Sequence, residues 1–214
     1  MSEPRPRTLA EVDARSEALR RERGVEHPET LAAMLDLAEM LWARGRLDEV
    51  RAIEEHVLAA RRRALGDAHG DTLKALGKLA ATTGVRGDLD AARRMQEDVL
   101  ARGRAVWGES GRDTLRAMNN LAGTIAAQGD LAGARALLDS AIETLHREFG
   151  PNDPDTLTAL ANLAAVLWQY GERGEAYWLQ SQVVDIRRGA FGDADAGTRA
   201  AAAVLEAMHR DGMP

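Results

Sequence analysis

Apolar residues return every third or fourth position through most of this chain, and breaks rich in Gly, Pro and Asp interrupt them at regular intervals. Between His27 and Gly45, the residues Leu31, Met34, Leu35, Ala38, Leu41 and Trp42 trace one face of a helix. After the turn Gly45-Arg46-Leu47-Asp48, a second helical run carries Val50, Ile53 and Val57 and ends at Leu65. The two make a helical hairpin, and the hairpin recurs. Thr30, Thr72, Thr114, Thr156 and Thr198 stand 42 positions apart, as do Gly45, Gly87, Gly129 and Gly171. Gly24, Gly66, Gly108, Gly150 and Gly192 keep the same interval. Phe149 to Ala176 displays the unit most fully: a Pro- and Asp-rich break, an Ala/Leu-rich helix, a glycine turn and the start of a second helix.

This phase predicts an all-α array of ten helices, four hairpins with a capping helix at each end. The divisions are residues 1–24 (tail and capping helix), 25–66, 67–108, 109–150 and 151–192 (repeats one to four), and 193–214 (capping helix and tail). Residues 1–7 hold Pro4 and Pro6 and are expected to fray. Thr30, after Pro28, stands where it would cap the first helix of repeat one. Gly77 and Gly84 lie inside the first helix of repeat two and weaken it by roughly 1 kcal/mol each, which makes this repeat the softest.

Composition narrows the function. A net charge of −6 and a pI near 5.5 argue against a general nucleic-acid binder. No apolar run reaches eighteen residues, so no membrane span is expected. There is no cysteine and the N-terminus lacks a signal-peptide core, so a cytoplasmic location is the default. Arginine is abundant beside only two lysines, Lys74 and Lys78, a skew that suggests a GC-rich bacterial genome.

Units of this length resemble the tetratricopeptide repeat in its longer, kinesin-light-chain-like variety. The Asn-Leu-Ala signature appears as Asn120-Leu121-Ala122 and Asn162-Leu163-Ala164, the turn glycine as Gly45, Gly87, Gly129 and Gly171, and the small second-helix residue as Ala92, Ala134 and Ala176. Asp36 and Lys78 replace the signature Asn in repeats one and two, Val50 the small residue, and Arg173 the apolar turn residue of repeat four. The resemblance covers about residues 25 to 210, and the chain reads as the array alone, without an ATPase module. It implies a right-handed α-α superhelix, a TPR-like solenoid, whose first helices line a concave groove.

Carried over, the inward positions include Asp36, Glu39, Trp42, Lys74, Lys78, Arg116, Asn119, Asn120, Asn162 and Trp168. Such a lining suits a protein or peptide segment. Asn120 and Asn162, equivalent in the repeat, are expected to clamp its backbone, and Lys74, Lys78 and Arg116 to face its acidic portion. Trp42 and Trp168 are either groove anchors or inter-helix packing, while Trp107, Phe149 and Phe191 read as packing between repeats. His27 and His69 read as solvated loop residues, and no ligand cluster suggests a metal. No nucleophile elbow or phosphate loop is present, so no catalytic residue and no cofactor is expected. The expected function is a non-catalytic peptide-binding scaffold. A regulatory peptide or metabolite receptor, or a tailoring enzyme using the groove, are the alternatives. The C-terminal cap, with Val204, Leu205 and Met208 on one face, is a candidate homodimer surface.

Overall fold

The computed structural model describes residues 8–212. The expected fraying of residues 1–7 lies outside them. Among the described residues the chain is all helix and turn, with ten helices: α1 (Leu9–Arg23), α2 (Pro28–Trp42), α3 (Leu47–Leu65), α4 (Gly70–Val85), α5 (Leu89–Trp107), α6 (Arg112–Ala127), α7 (Leu131–Phe149), α8 (Pro154–Tyr170), α9 (Arg173–Phe191) and α10 (Ala196–Arg210). The fold is the expected all-α, TPR-like solenoid class. Reversals fall at the turn glycines. Gly45, with φ of +72°, lets the Arg46 amide reach back to the Leu41 carbonyl at 3.1 Å, a conformation that a side chain would strain.

The chain forms two compact units, residues 1–102 and 103–214, the division falling inside α5. In the first, α1 packs on α2, α2 on α3 and α3 on α4. Ala38, Leu41 and Val50 form a buried cluster there, joined by Leu9, Leu37 and Ile53. In the second, α6 to α10 pack in succession, and α6 also touches α8. Leu157, Val183, Val184 and Ala201 form its cluster, with Leu160 and Leu205 against it.

The helix starts correct one expectation. Thr30 does not cap α2. The N-cap is His27, whose Nδ1 accepts the Glu29 amide at 3.3 Å, and His69 does the same for α4 with Asp71 at 3.1 Å. These histidines are caps, not merely solvated loop residues. Asp153 and Asp195 cap α8 and α10, and α1 has the full reciprocal box, between Thr8 and Glu11. The repeating threonines lie three residues further in and are buried. Thr114 and Thr156 donate their hydroxyls to the carbonyls of Gly108 and Gly150, at 2.7 and 3.0 Å. The hydroxyls of Thr30 and Thr72 are buried without a hydrogen-bond partner.

The aromatic residues ahead of the glycines also differ. Trp107 is half-buried, its ring lying where a Cβ on Gly103 would sit, and Phe149 is half-buried beneath Arg112 at 4.0 Å. Phe191 is 41% exposed, so it does not fill the packing role expected of it.

Candidate functional site

Helical spacing puts every third or fourth residue of a first helix on one face, and each compact unit uses that face differently. In the first unit, α2 contributes Leu35, Ala38, Glu39 and Trp42, α3 contributes Val50 and Glu54, and α4 contributes Lys78 and Ala81 to a cavity of about 340 Å³. Trp42 is 38% exposed along it. Lys78 Nζ pairs with Glu39 Oε1 at 3.0 Å. Beneath them Glu54, only 5% exposed, accepts a hydrogen bond from the Thr82 hydroxyl at 2.5 Å. Burial pushes the Glu54 carboxyl above the ordinary carboxylate range, opposed by the Thr82 bond and the charge of Lys78. Asp36 and Lys74 are exposed on α2 and α4 but do not line the cavity.

In the second unit, Leu115, Arg116, Asn119, Asn120, Leu145, Asp155 and Thr158 line a cavity of about 300 Å³. Asn162 Nδ2 donates to Asn119 Oδ1 at 2.9 Å. The amide pair is therefore Asn119 with Asn162, one position off the repeat equivalence, and Asn120 stands exposed beside it. Arg116 Nε donates to Asp155 at 2.8 Å, and its guanidinium is 3.6 Å from Asp113. Lys78 and Arg116 thus both face carboxylates of their own chain. Trp168 is half-buried, with the Arg173 guanidinium 5.0 Å from its ring centre. The turn residue that departs from the family pattern covers the tryptophan.

Sequence reasoning missed two features. Glu54 sits on the apolar stripe of α3 between Val50 and Val57, and its repeat counterparts Gln96 and Gln180 are also buried polar residues. A polar residue on that stripe was the available signal. The second is Arg112, which bridges Asp153 at 2.8 and 3.0 Å and Asp155 at 2.5 Å while stacking on Phe149. The Arg112 hydrogen bonds hold the Asp153 carboxyl below its ordinary range, and Arg112 is correspondingly shifted up. This cluster ties the starts of α6 and α8 to the end of α7.

Among the described residues no group of three or more His, Asp or Glu is placed to hold a metal, and no helix is long and apolar enough to cross a membrane. The arrangement is one of paired charges, amides and aromatic faces on helical hairpins.

Comparison with known proteins agrees on the class, a helical-hairpin repeat protein. Models described as tetratricopeptide repeat match residues 30–71, 72–113 and 113–189. The chain belongs to the tetratricopeptide repeat family. No curated protein matches it. Among solved structures, the chain is similar to two crystal structures of nearly identical TPR-like repeats from a Podosopora anserina protein assigned as a kinesin light chain. One, a point variant, is 24% identical with TM-score 0.64 and 85% of each chain covered. The other is 23% identical with TM-score 0.61, covering 86% of this chain and 87% of that one. BtubC (BKLC) from P. vanneervenii is 15% identical, with TM-score 0.67 and 96% and 92% coverage. Tetratricopeptide repeats are in general protein–protein interaction scaffolds.

Proposed function

We propose that this protein is a non-catalytic scaffold that holds an extended peptide segment of a partner protein along the first-helix face of its repeats. The observation that carries the reading is that this face holds an open cavity with charged groups in both compact units. The cavity of about 340 Å³ in the first sets Glu39, Glu54 and Lys78 among apolar walls, and that of about 300 Å³ in the second is lined by Arg116, Asn119, Asn120 and Asp155. An extended chain presents a peptide group about every 3.3 Å. A primary amide has two donors and one acceptor, so the Asn119–Asn162 pair keeps capacity for main-chain groups after its mutual bond. Asp36, Lys74 and Asn120 supply polar contacts at the rim, and the compartment we infer is the cytoplasm.

The test is selection of a displayed random-peptide library on the full-length chain, followed by calorimetry of the enriched peptides. Asn162→Ala should weaken them by roughly tenfold, about 1 kcal/mol or somewhat more for a lost buried hydrogen bond. Enriched peptides indifferent to Asn162→Ala and Asn119→Ala in folded protein would move the site elsewhere.

A separate surface favours self-association as a second, weaker activity. On α10, Val204 is exposed, and Leu205, Glu206, His209 and Arg210 line a cavity with Tyr177 of α9. A concentration-independent monomer in sedimentation would remove it.

A further inference from the structure

The cavity among α2, α3 and α4 has a more specific chemistry than a general peptide groove. Two carboxyl groups, Glu39 and Glu54, line it beside a single ammonium, Lys78, which pairs with Glu39. Thr82 donates to one oxygen of Glu54, its Oε2. That group is nine-tenths buried and borders the cavity. Leu35, Ala38 and Val50 form an apolar sleeve, and the Trp42 indole is exposed at its side.

An anion entering here would meet two carboxyls against a lysine already engaged. An apolar side chain would leave Glu54 with the Thr82 hydroxyl alone, which is costly for a carboxyl. A cation on a slender apolar stem meets every wall: the stem lies along the sleeve, and the head reaches the carboxyls and the indole face. A guanidinium does this better than an ammonium, because its planar fork stacks on an aromatic ring while donating to two carboxylates.

We propose that this cavity is the seat of one arginine side chain of the bound segment, gripped between Trp42, Glu39 and Glu54. The inference rests on the scaffold reading above and names its guest's chemistry. Val50 contributes to the seat, and it is the residue that departs from the alanine found at this position in the other three hairpins. Lys78, 44% exposed on a flexible stem, swings outward as the guanidinium takes over Glu39.

The test needs no partner. The chain has four tryptophans, so an isotope-labelled sample gives four indole N–H resonances, and Trp42→Phe identifies one of them. Titration with N-acetyl-arginine methylamide should move the Trp42 resonance saturably, with roughly millimolar affinity for so small a ligand. The citrulline analogue, alike in shape but uncharged, should bind about tenfold more weakly or worse, and Glu39→Gln and Glu54→Gln should each weaken the arginine probe by about three- to tenfold. Glu39 is exposed, so Glu39→Gln stays informative even should Glu54→Gln fail to fold. Equal response to arginine and citrulline, an unmoved Trp42 resonance, or undiminished binding to a folded Glu39→Gln protein overturns the proposal. In that event, enriched library peptides that still depend on Asn162 leave the scaffold reading standing; peptides indifferent to it remove that reading separately.

Discussion

At the scale of single residues, the repeat assigns one position different work in different hairpins. Thr114 and Thr156 each close a joint by donating to the carbonyl of the glycine that ends the preceding helix, while Thr30 and Thr72 are as buried but lack a partner. A buried hydroxyl that donates contributes about 1 kcal/mol, whereas one without a partner costs about as much. Thr114→Val and Thr156→Val should therefore each lower stability by about 1 kcal/mol, and Thr30→Val and Thr72→Val should raise it by a similar amount. Urea unfolding followed by circular dichroism reads the signs, and the same sign at all four positions contradicts the assignment. Trp42 and Trp168 diverge in the same manner. One is exposed beside a cavity and the other lies beneath Arg173.

At the scale of the helix, α4 carries Gly77 and Gly84 within sixteen residues. A Cβ on Gly77 would meet no atom within 4 Å, so nothing in the packing requires glycine there. Gly77→Ala should stabilise the protein by about 1 kcal/mol. That corresponds to a rise in melting temperature of about 2–4 °C for a chain of this size. Amide exchange across residues 70–85 should slow as well; faster exchange or a lower melting temperature rejects the point. The helices themselves were legible because glycine spacing and apolar periodicity state the same phase twice. Contacts between helices were less so. The repeat equivalence singled out Asn120 with Asn162, but a bond between neighbouring first helices joins Asn162 to Asn119, which the repeat phase alone does not show, and Asn120 stands exposed beside it. Glu54 escaped notice because the groove was read from first helices alone, and its floor comes from a second helix. The caps were misread because a histidine ring nitrogen did the work assigned to a nearby threonine.

At the scale of the whole molecule, two of the perturbed carboxyls, Asp153 and Glu54, pull stability in opposite directions with pH. Arg112 holds Asp153 below its ordinary value, so this contribution is present above about pH 4, where the unfolded carboxyl is ionised, and is lost as pH falls through the folded value. Glu54 is raised, so its contribution is greatest below about pH 4 and declines as pH climbs through its folded value. Asp153→Asn should cost about 1 kcal/mol near neutrality, a modest figure because Arg112 is one-third exposed and keeps Asp155. The gap to wild type should close on acidification. For Glu54→Gln the difference should run the other way, the variant gaining on wild type as pH rises. Unfolding titrations near pH 3 and near pH 7 decide between these slopes and a common one.

The joint that Thr156 makes with Gly150 spans only six positions of chain, and Thr114 makes the same joint with Gly108. Such a closure is portable. Excising residues 109–150 would splice Gly108 directly ahead of Pro151 and hand Thr156 a glycine carbonyl at the old distance in sequence. Arg112 would leave with the excised block, and its grip on Asp153 with it. Shortening this chain by that period thus carries a local penalty of one ion-pair cluster. A cut out of phase would orphan a buried hydroxyl at the seam, so the gene can be edited in 42-residue steps and resists any other stride.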